Sequence, residues 1–278
     1  MQKTILITGA SAGIGYDTAI VMRALGWRVF ATARSPRDVQ RLESEGFESL
    51  LLDAADSGSI QAAFAELSEY TADRLDGLFC NAGYGQVGAV EDISRSALRD
   101  QFETNVFGVW ECVAQAMRLF RCQGSGRILV NSSILGFAAM PMRGAYNSSK
   151  FALEGMCDTL RNEIRGSGIS VSLVEPGPVT SRFRANALKN FLATVDTENS
   201  VHAAAYRRQL DRLDSETPAP FTVSAAQCAA VCARAFTDRR PKPRYRACLP
   251  THVFWYLRRI LPTGWLDACT RAAVGGRR

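Results

Sequence analysis

Lysine is almost missing from this chain: only Lys3, Lys150, Lys189 and Lys242 stand among its 33 basic residues, and the rest are arginine. Histidine is scarcer still. His202 and His252 form no cluster, so no metal site is expected. Long apolar runs are also absent, and none approaches the ~18–20 residues a membrane-spanning helix requires. The opening stretch MQKTILITGA lacks a signal-peptide layout, because its apolar run leads straight into a glycine turn. No C-x-x-C pair occurs among the eight cysteines, and CAAVC at 228–232 lies on a helical pattern with no neighbouring histidine. The expectation is of reduced, mostly buried thiols in a cytoplasmic protein, with neither disulfides nor zinc.

What is present suits a folded enzyme-sized body. The 278 residues are 47% hydrophobic and 22% charged, enough for a sizeable core in one α/β domain. The formal net charge of +6 is unevenly spread. Residues 1–238 carry 23 basic against 26 acidic side chains, whereas residues 239–278 carry 10 against 1. Basic character therefore belongs to the C-terminal tail, which argues against a general nucleic-acid-binding surface.

Apolar, β-branched runs alternate with helix-length segments. Strands are predicted at 3–8, 27–32, 49–53, 76–80, 126–131 and 169–174, with a weaker seventh at 244–249. Helices are predicted at 13–25, 36–45, 57–72, 94–123, 145–166 and 224–236. This rhythm implies right-handed βαβ units: one doubly wound, Rossmann-type parallel sheet of about seven strands with helices on both faces. Residues 180–222 break the rhythm and are expected to cross the C-terminal edge of the sheet, over the substrate. Residues 1–250 then form one domain, and 251–278 a basic aromatic tail.

Gly9, Gly13 and Gly15 sit at the first strand-to-helix turn with G-x-x-x-G-x-G spacing. Glycines there permit a tight turn and close approach of a pyrophosphate, which the following helix N-terminus attracts. The second strand ends in Ala33 and Arg34, where an acid would hydrogen-bond the ribose hydroxyls of NAD. An arginine can instead pair with a 2′-phosphate, so NADP(H) is favoured over NAD(H). Asp53, closing the third strand, is placed to accept from an adenine amino group.

Tyr146 and Lys150 are four residues apart on a predicted helix and so share a face. A strand ends at Ser132 and Ser133 just before them, and Asn105 lies within an apolar helical pattern where a buried amide needs partners. A phenol titrates near ~10 and is a poor base at neutrality, whereas a neighbouring ammonium favours the phenolate. That requirement bears on why one of four lysines stands at 150: a compact ammonium beside the phenol suits the task better than a planar guanidinium fork.

TGxxxGIG from Thr8, NAG from Asn81, then Asn105, Ser133, YxxSK from Tyr146 and PGPVT from Pro176 follow one another at intervals that resemble the short-chain dehydrogenase/reductase family over residues 1–180. The resemblance implies an oxidoreductase. In it Tyr146 is the general acid/base, Ser133 holds the carbonyl, Lys150 contacts the nicotinamide ribose and lowers the tyrosine pKa, and Asn105 holds a water of the proton relay. Cofactor contacts fall on Gly9, Ser11, Gly13, Ile14, Gly15, Asn81, Ala82, Gly83, Pro176, Gly177, Val179 and Thr180, besides Tyr146 and Lys150. One departure stands out, since Cys80 occupies the place of the family's first asparagine before Asn81.

Tyr84, Phe137, Met140, Met142, Phe183, Leu188 and Phe191 together favour an apolar pocket for a steroid, retinoid or fatty alcohol or aldehyde. The helix around Lys150 and the long tail resemble the hydroxysteroid and retinol dehydrogenase branch. The alternatives are a polar-substrate ketoreductase of the 3-oxoacyl type and a non-catalytic NADP(H)-sensing protein. A homodimer or homotetramer is expected. The tail, rich in Phe254, Trp255, Tyr256, Ile260 and Trp265 beside Arg258 and Arg259, is either a packing or subunit-contact segment or an interfacial anchor peripheral to a membrane.

Overall fold

In the computed structural model, residues 2–215 and 217–273 are described; Glu216 in the excursion and residues 274–278 of the tail lie outside them. The first half alternates as the pattern predicts. It runs β1 (Thr4–Ile7), α1 (Gly13–Ala24), β2 (Arg28–Ala33), α2 (Pro36–Ser44), β3 (Glu48–Leu51), α3 (Ser57–Thr71) and β4 (Gly77–Cys80). Then come α4 (Arg95–Phe102), α5 (Gly108–Gln123), β5 (Gly126–Asn131), α6 (Gly144–Glu163) and β6 (Ile169–Glu175). Capping residues set several starts: the Asp56 carboxylate accepts from the Gly58 amide ahead of α3, and Pro36 opens α2.

The seven-stranded sheet has the order β3-β2-β1-β4-β5-β6-β9, all parallel, with β9 (Arg244–Arg246) as the far edge. Its order reverses between β1 and β4, where sheets of this class open a crevice beyond their C-terminal ends. The central strands β1, β4 and β5 are short and nearly wholly buried, as expected when both faces are covered. On one face α3, α5 and α6 bury Ile60, Cys112 and Leu153 against Leu78 and Ile128. On the other, α1, α2 and α9 (Ala225–Thr237) bury Met22, Leu42 and Cys232 against Ile7 and Phe79. Six of the eight cysteines are buried, Cys122 is exposed, and all eight are free thiols.

Two features depart from the predicted pattern. The expected helix 94–123 contains one wide π turn, Glu103–Phe107, between α4 and α5, and Asn105 sits inside it. Such insertions displace one residue from the helical ladder and are common at functional sites. The excursion also has structure of its own. The two-residue strands β7 (Val179–Thr180) and β8 (Val223–Ser224) pair at its base. Between them α7 (Phe183–Thr194) and α8 (Ala203–Asp214) enclose a separate small core of Phe191, Tyr206 and Val87. The tail forms α10 (Leu249–Ile260) and α11 (Thr263–Ala273), so Gly264 lies in the first turn of α11, past the break at Leu261–Pro262. No described helix is long and apolar enough to cross a membrane.

Candidate active site

The predicted cofactor segments emerge at the C-terminal ends of strands, while Asn105, Tyr146 and Lys150 lie on the π turn and α6. After β1, Gly9 turns with φ +64°, and a Cβ there would come within 2.8 Å of the Ala82 Cα, so only glycine fits between the two loops. Gly13 also has positive φ (+61°). Helix α1 then begins at Ala12 with no side-chain cap and no acid in its first turn, which leaves its first amides free for an anion. The carbonyl of Ser11 is held by Arg41 at 2.7 Å and Arg182 at 2.9 Å, which brings two further guanidinium groups to this turn. Ile14 packs into the core beneath it. A glycine cradle at an uncapped helix start suits a dinucleotide pyrophosphate.

Arg34 follows β2 immediately and is exposed. Its charge is felt across the crevice by Tyr84, whose phenol burial pushes up to about 12 while Arg34 pulls it back. Asp53 accepts from the Ala55 amide at 2.9 Å through one oxygen, Oδ1. Asn81 bridges the loops: its Nδ2 donates to the carbonyls of Thr8 and Gly9, both at 3.0 Å. The Thr8 hydroxyl in turn accepts from the amides of Asn81 and Ala82. Gly83 lies against Asn105, with room for little more than hydrogen. Beyond β6, the Pro176 carbonyl accepts from Ile134, and Gly177 abuts Cys248. Val179 and Thr180 form β7, with Thr180 exposed.

The chemical groups converge on α6. Tyr146 is 8% exposed, and the Ser133 hydroxyl, just after β5, lies close enough to lower its phenol pKa. Ser132, one residue earlier, points to the other side and donates to Glu154. Lys150 is buried, donates to the Asn131 carbonyl at 2.7 Å, and has its ammonium 5.6 Å from the Tyr146 ring centre. Burial raises the Tyr146 phenol to about 12, offset in part by the Ser133 hydrogen bond and the charge of Arg143. Burial lowers Lys150 to about 8, while Glu154 acts the other way. The Asn105 side chain accepts from the Tyr84 amide at 3.0 Å and donates to the Tyr84 carbonyl at 2.9 Å and to Ser149 at 3.3 Å. Its amide thus clamps the 84–86 loop to α6.

Three contributors were not singled out from sequence. Asn131 donates to Asn81 at 3.0 Å, completing a chain from the glycine turn through Asn81 and Asn131 to Lys150. Thr8 anchors its start. Arg143, one turn ahead of Tyr146, is the cation whose charge acts most directly on the phenol. Its place three residues before Tyr146, just ahead of the predicted helix 145–166, was the available signal. Among the described residues no group of three His, Cys, Asp or Glu could hold a metal.

Residues 3–190 match the model of the short chain dehydrogenase family. The chain is a short-chain dehydrogenase. It is 37% identical to an uncharacterized oxidoreductase of Escherichia coli, YbbO, over 96% of this chain and 93% of that one. It is 31% identical to human 17-beta-hydroxysteroid dehydrogenase type 1 over 88% of this chain and 80% of that one. A short-chain dehydrogenase from Streptomyces avermitilis superposes with a TM-score of 0.75 at 27% identity, covering 99% and 95% of the two chains. This short-chain dehydrogenase is therefore an oxidoreductase with the fold's nicotinamide-cofactor crevice, and it resembles the hydroxysteroid branch.

Proposed function

We propose that this dehydrogenase interconverts a lipophilic alcohol and its ketone or aldehyde with NADP(H), using Tyr146 as general acid/base. The observation that carries this reading is the Ser133–Tyr146 pair facing an apolar wall, in which the Phe183 ring lies edge-on to Tyr146 at 5.6 Å. A carbonyl oxygen placed between the two hydroxyls would accept from both, which polarises it. Bound NADPH supplies the hydride. Tyr146 then delivers a proton to the developing alkoxide, and it holds that proton at neutral pH because burial keeps the phenol high. Lys150 favours the phenolate left behind and orients the ribose side of the crevice. Asn131 and Asn81 tie its position to the glycine turn, so cofactor and proton donor are set by one hydrogen-bond chain.

Arg34 supports NADP(H): it stands where NAD-selective sites carry an acid, and it makes no ion pair among the described residues. The test is titration of the full chain with NADPH and NADH, followed by a panel of steroid, retinoid and fatty carbonyls monitored by NADPH absorbance. NADPH should bind more tightly, and Arg34→Asp should reverse the order. Losing one charge-assisted phosphate contact costs roughly 1.5–3 kcal/mol, about tenfold to a hundredfold in affinity. Equal titration curves in the unmutated protein would refute the preference. No turnover of any lipophilic carbonyl would refute the substrate class.

We also propose that the tail touches an anionic membrane surface. Helix α10 packs Phe254 and Trp255 on Ile134, Phe137 and Ala138, while Tyr256, Ile260 and Trp265 stay exposed beside the arginines. A docked helix with an unburied aromatic face suits an interfacial contact next to the site of a lipid-soluble substrate.

A further inference from the structure

Arg143 lies within reach of the catalytic tyrosine, yet the reduction chemistry above does not use it. It precedes α6 directly, one turn ahead of Tyr146, and Met142 before it adopts a left-handed φ of +60°. Its guanidinium donates to the Met142 carbonyl at 3.0 Å and to Oε1 of Gln209 on α8 at 3.1 Å. Burial and the charge of Arg212 pull it down to about 10, so it remains a cation at neutral pH. Packed protein surrounds it, but part of its surface still meets solvent, as for a group on a cleft floor.

Two more arginines face the same place. Arg212 is three residues beyond Gln209 on α8, hence on the same face. Arg184 of α7 donates to the carbonyls of Ser215 at 2.9 Å and Thr217 at 3.2 Å, just past the end of α8. The charge of Arg212 bears on Arg143, and that of Arg184 on Arg212, so the cations are linked through Arg212. Among the described residues none of the three forms an ion pair, and Arg143 and Arg184 donate only to neutral oxygens. Arg244, by contrast, is matched by Glu154, Asp158 and Glu175. Three arginines with no paired acid among the described residues are poised to receive an anion, and guanidinium forks match oxyanion geometry.

We propose that Arg143, Arg184 and Arg212 form an anion subsite at the mouth of the catalytic cleft, taking the acidic head of an amphiphilic oxo substrate whose carbonyl lies at Tyr146. The head is a carboxylate, sulfonate or phosphate, and Met142, Phe183 and Leu188 line the path of the chain. This assignment rests on the oxidoreductase reading and narrows its substrate class.

Two measurements on the full chain test it. In thermal melts at constant ionic strength, hexanoate, hexanesulfonate or hexyl phosphate should raise the melting temperature where hexanol does not, and the largest shift names the head group. Arg212→Gln, in the last turn of α8, and Arg143→Gln should each weaken that anion at least about tenfold. In kinetics with NADPH, oxodecanoates bearing the carbonyl at C4 or C5 should exceed their methyl esters in kcat/KM by about tenfold or more. Arg143→Gln should bring that ratio toward one, chiefly through KM. An acid-to-ester ratio near one in the unmutated protein, together with no anion-specific shift, overturns the subsite. An anion-specific shift without turnover of either acid or ester overturns the lipophilic-carbonyl reading and leaves the subsite standing.

Discussion

Tyr146 and Lys150 answer to the same burial in opposite senses, because burial disfavours whichever form is charged. The phenol rises to about 12 and keeps its proton; the ammonium falls to about 8 and is readily lost. Reduction should therefore slow as pH climbs past about 8, where Lys150 becomes neutral, and a pH profile of kcat between 6 and 10 checks this. Tyr146→Phe removes only the transferable proton, so kcat should drop about 10²–10⁴-fold with NADPH affinity nearly unchanged. Lys150→Arg should fail as well, since a planar fork cannot reproduce the single buried contact to the Asn131 carbonyl. Near-native turnover by Tyr146→Phe would end the assignment. The i, i+4 spacing made this pair visible in the sequence. Asn131's bond to Asn81 and Thr8's anchoring of Asn81 and Ala82 were not visible, because those partners lie 50 or more residues away.

Among the elements, the edge strand β9 is fastened from below by charge. Glu175 at the end of β6 has no exposed surface and lies 3.1 Å from both Arg244 and Arg246 of β9. Arg244 also reaches Glu154 and Asp158 on α6. Burial, joined by the charge of Glu154, still raises Glu175 to about 7 against the pull of the arginines. A carboxyl raised on folding contributes stability below its unfolded value near ~4.5 and loses it as pH rises through 7. Replacing it with a neutral amide removes that dependence. Glu175→Gln should therefore gain ~2–3 kcal/mol relative to the unmutated protein between pH 5 and pH 8, less whatever the arginines lose. Urea unfolding at the two pH values measures the difference, and no change with pH would show that the ion pairs dominate. The RYRACL pattern suggested a strand here but said nothing of Glu175. Likewise the π turn at Asn105 has the same apolar spacing as a continuous helix, and only the clamp on Tyr84 distinguishes it.

For the whole molecule, the split between an acidic body and a basic tail makes membrane contact testable. Each basic residue near an anionic surface contributes about 1 kcal/mol, screened by salt. The full chain should co-sediment with anionic vesicles at low salt and less so at high salt. Deleting the tail is the poorer control, because it would uncover Ile134 and Phe137 close to Ser133. The double substitution Ile260→Glu and Trp265→Glu acts only on exposed side chains, 71% and 70% accessible, and should abolish sedimentation. Sedimentation unaffected by these substitutions, or absent throughout, would leave the tail as a packing segment.

The sequence by itself determined the alternation of strands and helices, the glycine turn, and the order in which Asn105, Ser133, Tyr146 and Lys150 arrive. Each is local: a period, a turn or a spacing within one element carries it. Tertiary structure alone decided the Asn81–Asn131–Lys150 chain, the pairing of β7 with β8, and the contact of Arg143 with Gln209 on α8. Those arrangements join segments far apart in the chain, and their energies arise from burial and charge that exist only once the sheet has closed.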